Sequence, residues 1–200
     1  MTYSEPSQVR AIETEKRFLS AFKQLLQEKA FGTTTIDEIA QRAGLHRGAF
    51  LKRFGSKKSA LFVLYEAYVR KASAVIGSIT ARLPYFATAY EVCSQMSREL
   101  ERIQKEDFSA NRAMHEMFLE KLQTDPSTKR IFMETVALMR ATQERFLADQ
   151  PFTDVGAFAA TQLLVTINYN FVLKAMPALP RDDDVRHQLI ADCLVRALKI

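Results

Sequence analysis

Thr34-Thr-Ile-Asp-Glu-Ile-Ala-Gln-Arg-Ala-Gly-Leu-His-Arg-Gly-Ala-Phe-Leu-Lys-Arg-Phe-Gly-Ser-Lys-Lys58 decides how the rest of the chain is read. Thr35 followed three residues later by Glu38 is a capping-box pattern, which predicts a helix from about Ile36. Ile36, Ile39, Ala40 and Ala43 recur at helical spacing on one face. Gly44 then supplies a residue able to take positive φ, so the chain can turn sharply. A second short helix follows, with Leu45, Ala49, Phe50 and Phe54 directed inward. Gly55 ends it, and Ser56 is placed to cap the next helix.

Two short helices joined by a tight glycine turn form a helix-turn-helix, whose second helix can lie in a DNA major groove. The solvent side of that helix carries His46, Arg47, Lys52 and Arg53, with Lys57 and Lys58 just beyond. No acidic residue stands between Glu38 and Glu66. Two core helices with an ordinary solvated basic face would show the same spacing. The charge distribution favours the DNA reading. Residues 1–60 hold 11 Lys/Arg against 6 Asp/Glu, whereas residues 61–200 hold 17 of each, so the whole net charge of +5 sits in the first 60 residues. A polyanion-binding head on a neutral body has this asymmetry.

The segment Thr-Ile-Asp-Glu-Ile-Ala-Gln-Arg-Ala-Gly-Leu-His-Arg-Gly-Ala-Phe, followed by Phe-Gly-Ser-Lys-Lys-Ser-Ala-Leu, closely resembles the DNA-binding signature of TetR-family transcriptional regulators. The likeness runs from about Phe18 to Leu64, with spacing, turn and caps in agreement. The chain departs from the pattern twice. Leu51 stands where the family usually has an aromatic, often a tyrosine whose hydroxyl reaches a phosphate. Ala30 stands where a glycine usually precedes the aromatic at Phe31.

Few breakers (6 Gly and 6 Pro in 200 residues) and no sustained alternation predict an all-α chain of about nine helices. From Val9 to Lys29 the stripe Phe18, Leu19, Phe22, Leu25 and Leu26 completes a three-helix head. A long helix after Ser56 carries Leu61, Leu64, Tyr65, Tyr68, Ala72, Val75, Ile76 and Ile79. Five more follow. They are opened by Pro84 (to about Glu106), Ser109 (to Gln123), Asp125-Pro126 (to Ala148), Asp154 (to Met176) and Asp182–Asp184 (to Leu198). The expected division is 9–55 for DNA binding and 56–200 for ligand binding and dimerisation.

The helix 154–176 is apolar on two sides. Phe158, Val165, Tyr169 and Val172 line one stripe, and Ala160, Leu164, Ile167 and Phe171 the other, which suits burial on both sides. With Leu189, Ile190, Cys193, Leu194 and Ala197 beside it, a homodimer through the last two helices is expected. The resemblance implies the same arrangement. A monomer core absorbing both faces is the alternative.

Thr35, His46, Arg47, Gly48, Lys52, Arg53 and Lys57 are the candidate contacts to a double-stranded DNA operator. Arg47 is placed to read a guanine edge, and Gly48 to let the backbone approach the sugar-phosphate. Thr35 would offer its hydroxyl and helix N-terminus to a phosphate. Lys52, Arg53 and Lys57 are expected to anchor phosphates. His46 contacts a base or a phosphate, or caps the helix. The resemblance also implies a pocket for a small hydrophobic ligand within the body, for which Tyr65, Phe86, Tyr90, Met96, Met114, His115, Phe118, Phe132, Met139 and Tyr169 are candidates. Such side chains at helical spacing serve equally as plain core.

Three histidines with no HExxH pair, no phosphate loop and no GxSxG elbow offer no catalytic constellation, and nothing calls for a metal or cofactor. Cys93 and Cys193 read as buried reduced thiols. The polar N-terminus and the lack of any 18-residue apolar run point to a cytoplasmic protein without membrane contact. The expected function is a repressor released from a palindromic operator by a hydrophobic ligand. A ligand-independent DNA-binding or adaptor protein is the alternative.

Overall fold

In the computed structural model the description covers residues 9–147, 154–173 and 180–199, with all their side chains except those of 118–124, 154 and 168–173. The described residues are all-α. The elements are α1 (Val9–Glu28), α2 (Ile36–Ala43), α3 (Arg47–Phe54), α4 (Lys57–Arg82), a 3-10 turn (Leu83–Tyr85), α5 (Ala89–Glu106), α6 (Phe108–Thr124), α7 (Pro126–Phe146), α8 (Asp154–Leu173) and α9 (Asp183–Leu198). They fall into two compact units, Met1–Ala67 with Asp107–Leu119, and Tyr68–Glu106 with Glu120–Ile200.

Local chemistry starts and stops most of these helices where the sequence indicates. Asp125 accepts from the Thr128 amide with Pro126 in the first turn of α7, and Asp182 accepts from the Val185 amide to start α9. Two starts differ. Pro84 lies in the 3-10 turn, and α5 begins five residues later, because Thr88 and Glu91 form a cap of their own. The Thr88 hydroxyl accepts from the Glu91 amide at 3.2 Å, and the Glu91 carboxylate accepts from the Ala87 amide at 2.8 Å. The start of α6 is Phe108, not a residue after Ser109, with the Asp107 carbonyl accepting from the Asn111 amide.

The first unit packs on aromatics. Phe18 of α1 meets Phe50 and Phe54 of α3 edge-on, with ring centres 5.3 and 6.1 Å apart. Ile39 and Ala40 of α2, Leu61 and Leu64 of α4, and Ala110, Ala113 and Met114 of α6 are buried with them. Lys23 of α1 pairs with the buried Asp107 at the start of α6. The greater part of α6, to Leu119, expected in the body, thus belongs to this unit.

The second unit has one apolar core drawn from α4, α5, α7, α8 and α9, including Ile76, Val92, Met96, Leu100, Met139, Ala160, Leu164, Ile190 and Leu194. Cys93 is buried there, and burial pushes its thiol up to about 12. Cys193, expected to be buried, is only half-buried. Gly156 is needed where α8 passes its neighbours. A Cβ there would lie 2.8 Å from the Gln143 amide nitrogen, which donates to the Leu198 carbonyl.

A polar cluster fastens α5 to α9. Arg186 donates through two nitrogens to Glu101, and their side chains are 7% and 9% exposed. Asp183, Lys105 and His187 surround the pair, and the His187 ring shares a 2.8 Å hydrogen bond with the Ser97 hydroxyl. Burial pushes the Glu101 carboxyl up, but Arg186 and Lys105 more than reverse this and hold it below the usual carboxylate range. Removing one member of a buried pair strands its partner's charge. Glu101→Ala should therefore lower stability by about 3 kcal/mol, the low end for such pairs because Asp183 stays beside Arg186. Glu101→Leu combined with Arg186→Met should recover most of that loss, which paired denaturant titrations would measure.

Candidate nucleic-acid interface

The predicted helix-turn-helix forms from the caps that the sequence contains. The Thr35 hydroxyl accepts from the Glu38 amide at 3.2 Å, and the Glu38 carboxylate accepts from the Thr35 amide at 2.8 Å. Gly44 ends α2 at φ 63°, a left-handed conformation favouring glycine. Arg17 reaches from α1 to donate to the Ala43 carbonyl at 2.6 Å and the Gly44 carbonyl at 3.2 Å. That guanidinium satisfies carbonyls left open at the end of α2. Ser56 caps α4, its hydroxyl accepting from the Ser59 amide at 3.0 Å.

Within α3, Phe50 and Phe54 are buried and the opposite side is presented outward. Arg47, Gly48 and Lys52 are exposed, and His46 is exposed just before the helix. His46 occupies the N-cap position without a side-chain cap bond, so its ring is not used in starting α3. Arg47 is 54% exposed and paired with Asp37 in the first turn of α2 at 2.7 Å. A Cβ built on Gly48 would meet nothing within 4 Å, so the fold itself does not require glycine there.

Two of the expected phosphate anchors have structural partners. Arg53 is 18% exposed and bound to Glu15 of α1 at 2.6 Å. Lys57 donates to the Phe31 carbonyl at 2.6 Å and to the Thr34 carbonyl, and its ammonium lies 4.3 Å from the Phe31 ring centre. Burial lowers the Lys57 pKa, Lys29 lowers it further, and Glu38 opposes both. These contacts, like that of Arg17, join residues far apart in the chain, and periodicity carries no signal for them. Asp37 as the holder of Arg47 was legible in principle, since of the two acidic residues in the first turn of α2 the other, Glu38, is taken up by the cap.

Glu38 gives the head a pH dependence. Hydrogen bonds from Lys29 and from the Thr35 amide and hydroxyl hold its carboxyl at about 2, well below the ordinary value of 4.5. Because the folded value is the lower one, the stabilisation is complete above about pH 4.5 and is lost as pH falls towards 2. Thermal melts between pH 6 and 2 should show Glu38→Gln losing less stability on acidification than the unaltered chain.

The ligand candidates divide between the units. Met96 and Met139 are fully buried in the core of the second, with Phe86, Tyr90 and Phe132 packed against it. Tyr65 and Met114 are buried in the first unit. There, burial lowers the pKa of His115. The side chains of Phe118 and Tyr169 lie outside the described residues. Phe86 and Tyr90 line an open cleft of about 330 Å³ with Glu91, Ser94, Gln95 and Arg98. A larger cleft of about 490 Å³ is lined by α4 and α5, with Val75, Ile79 and Ile103 apolar and Lys71, Arg82, Arg102, Glu99 and Glu106 charged. Among the described residues no group of His, Cys, Asp and Glu could hold a metal ion, and no helix is long and apolar enough to cross a membrane.

Residues 18–63 match the family model described as bacterial regulatory proteins, tetR family. No curated protein matches the chain. Among solved structures the chain is similar to a putative TetR-family transcriptional regulator from Mesorhizobium loti, with TM-score 0.70 and 17% identity over 94% of this chain and 98% of that one. It is also similar to the TetR-family regulator PfmR from Thermus thermophilus, with TM-score 0.64 and 18% identity over 90% and 97%. The fatty acid degradation regulator FadR from Bacillus halodurans gives TM-score 0.65 and 13% identity over 95% and 96%. At such identities the structural likenesses speak for the fold alone, and the match over residues 18–63 speaks for the head. Residues 18–63 thus match the head that the tetR family of bacterial regulatory proteins carries, and the rest of the chain shares the fold of solved TetR-family regulators.

Proposed function

We propose that the chain is a homodimeric cytoplasmic repressor that holds a palindromic operator and leaves it when a small hydrophobic ligand binds. The observation that carries this reading is the outward face of α3, where Arg47, Gly48 and Lys52 are accessible while Phe50 and Phe54 anchor the helix from behind. Arg47 reads a guanine edge, and Gly48 lets the backbone come close to the sugar-phosphate. Lys52 holds a phosphate, and Thr35 brings the start of α2 to another. His46 contacts a base or a phosphate. Arg53 and Lys57 reach phosphates only by exchanging or sharing their present partners. Residues 9–55 serve DNA binding, and 56–200 serve the ligand and the dimer.

Pairing through α8 and α9 is supported by apolar side chains left at their surface. Val155 is 71% exposed, Val185 50%, and Phe158, Val165 and Leu189 over 40%. A twofold pair of heads reads half-sites about 34–36 Å apart. The single helix α4, 26 residues and so about 39 Å long, carries a ligand's effect towards α3.

The ligand need only bind the DNA-incompetent state more tightly, since coupling is reciprocal. A thermal-shift screen of apolar compounds, followed by operator titration with each hit, tests the release step. An effector should raise the melting temperature saturably and weaken operator binding. If every stabilising compound left operator affinity unchanged, the repressor would be ligand-independent.

A further inference from the structure

The outward side of α3 is not uniformly polar. Leu51 is half-buried there, four residues after Arg47 and three after Gly48, so on a helix its isobutyl group borders both positions. Behind the helix, the rings of Phe18, Phe50 and Phe54 pack on one another. Beside Leu51, a Cβ on Gly48 would meet nothing within 4 Å, so nothing stands over the helix backbone at that position. Leucine has no hydroxyl to offer a phosphate. An aliphatic group one helical turn from a guanidinium, with bare backbone between them, suits a base edge that is partly apolar. The thymine 5-methyl is the apolar group that a base pair presents in the major groove.

We infer that Leu51 is a specificity-determining residue that reads the 5-methyl group of a thymine next to the guanine read by Arg47. This rests on the proposed DNA reading and deepens it, since it fixes the base chemistry at one further position of each half-site. Arg47 supplies the donors for the guanine O6 and N7, and Leu51 covers the neighbouring methyl and excludes water from it. A cytosine at that position carries only a hydrogen at C5 and would lose the contact.

The test replaces thymine by deoxyuridine, which keeps every hydrogen-bonding group and removes only the methyl. Operator duplexes selected by the full-length protein would be converted one thymine at a time and titrated by fluorescence anisotropy. One thymine per half-site should be sensitive, its conversion weakening binding about fourfold, and about fifteenfold when both half-sites are changed, the size of one buried carbon group each. Leu51→Ala, whose folding is checked by its melting temperature, should be indifferent to the same conversion, while Leu51→Met should keep part of the sensitivity. The inference is overturned by an operator without a thymine beside the guanine, by indifference at every thymine, or by equal sensitivity in Leu51→Ala. Selection that enriches no sequence would sink the DNA reading too. An enriched palindrome insensitive to methyl removal would sink only the role given to Leu51.

Discussion

An Arg47→Ala protein should fold as before and lose its operator. Its guanidinium is more than half exposed and paired with Asp37, itself 66% exposed, so the pair adds little to the stability of the head. At the DNA the balance is reversed. A bidentate arginine–guanine pair contributes about 1–3 kcal/mol of discrimination, and a twofold complex contains two of them, so about 2–6 kcal/mol is lost. Operator affinity should drop at least thirtyfold while binding to random duplex changes far less. An anisotropy titration of both duplexes, beside a thermal melt, separates the two effects. A comparable loss on random DNA would make Arg47 a phosphate contact. A lowered melting temperature would make it a structural one.

The second large effect concerns the pair of heads. Phe158→Glu combined with Leu189→Glu places carboxylates on surfaces of α8 and α9 that are 44% exposed in the single chain. Leu189 and Phe158 are both 44% exposed, and the Phe158 ring also packs on Phe132 with centres 6.0 Å apart, so the protomer should keep its fold with a lowered melting temperature. Two such surfaces brought together would bury four unpaired carboxylates, which is costly enough to keep the chains apart. Sedimentation should then give a monomer at micromolar concentration, where the unaltered chain is expected to give a dimer. Losing the second, tethered head removes the avidity gain, so operator affinity should fall by about 10²–10⁴. If the variant stayed dimeric, the interface would lie elsewhere. If it were monomeric and bound the operator normally, the twofold reading would fail.

Most helix boundaries were legible because they are written in short-range chemistry. Thr35 and Glu38, Gly44, Ser56, Asp125-Pro126 and Asp182 each fix a boundary through groups within four residues, and each works as its residue type requires. The start of α5 was equally local and was missed. Thr88-Ala-Tyr-Glu91 repeats the threonine-x-x-glutamate spacing of Thr35–Glu38, and it outweighs Pro84. The outward face of α3 followed from the spacing of Phe50 and Phe54. What that face costs to hold in place did not. Arg17 on the α2 carbonyls, Arg53 on Glu15 and Lys57 on the Phe31 loop are contacts across 20 residues or more, and a charge count cannot tell such a clamp from a free phosphate anchor. The same limit applies to the ligand candidates. Helical spacing marks Met96 and Met114 as inward, but only the packing assigns them to different units.

Selection of bound fragments from random duplex DNA tests the outward, paired α3 most directly. The expected result is an enriched inverted repeat, two half-sites about one helical turn apart, a guanine in each that Arg47→Ala no longer requires, and two chains per duplex. Recovery of no preferred sequence at low ionic strength, or of a single unrepeated site bound by one chain, would contradict it.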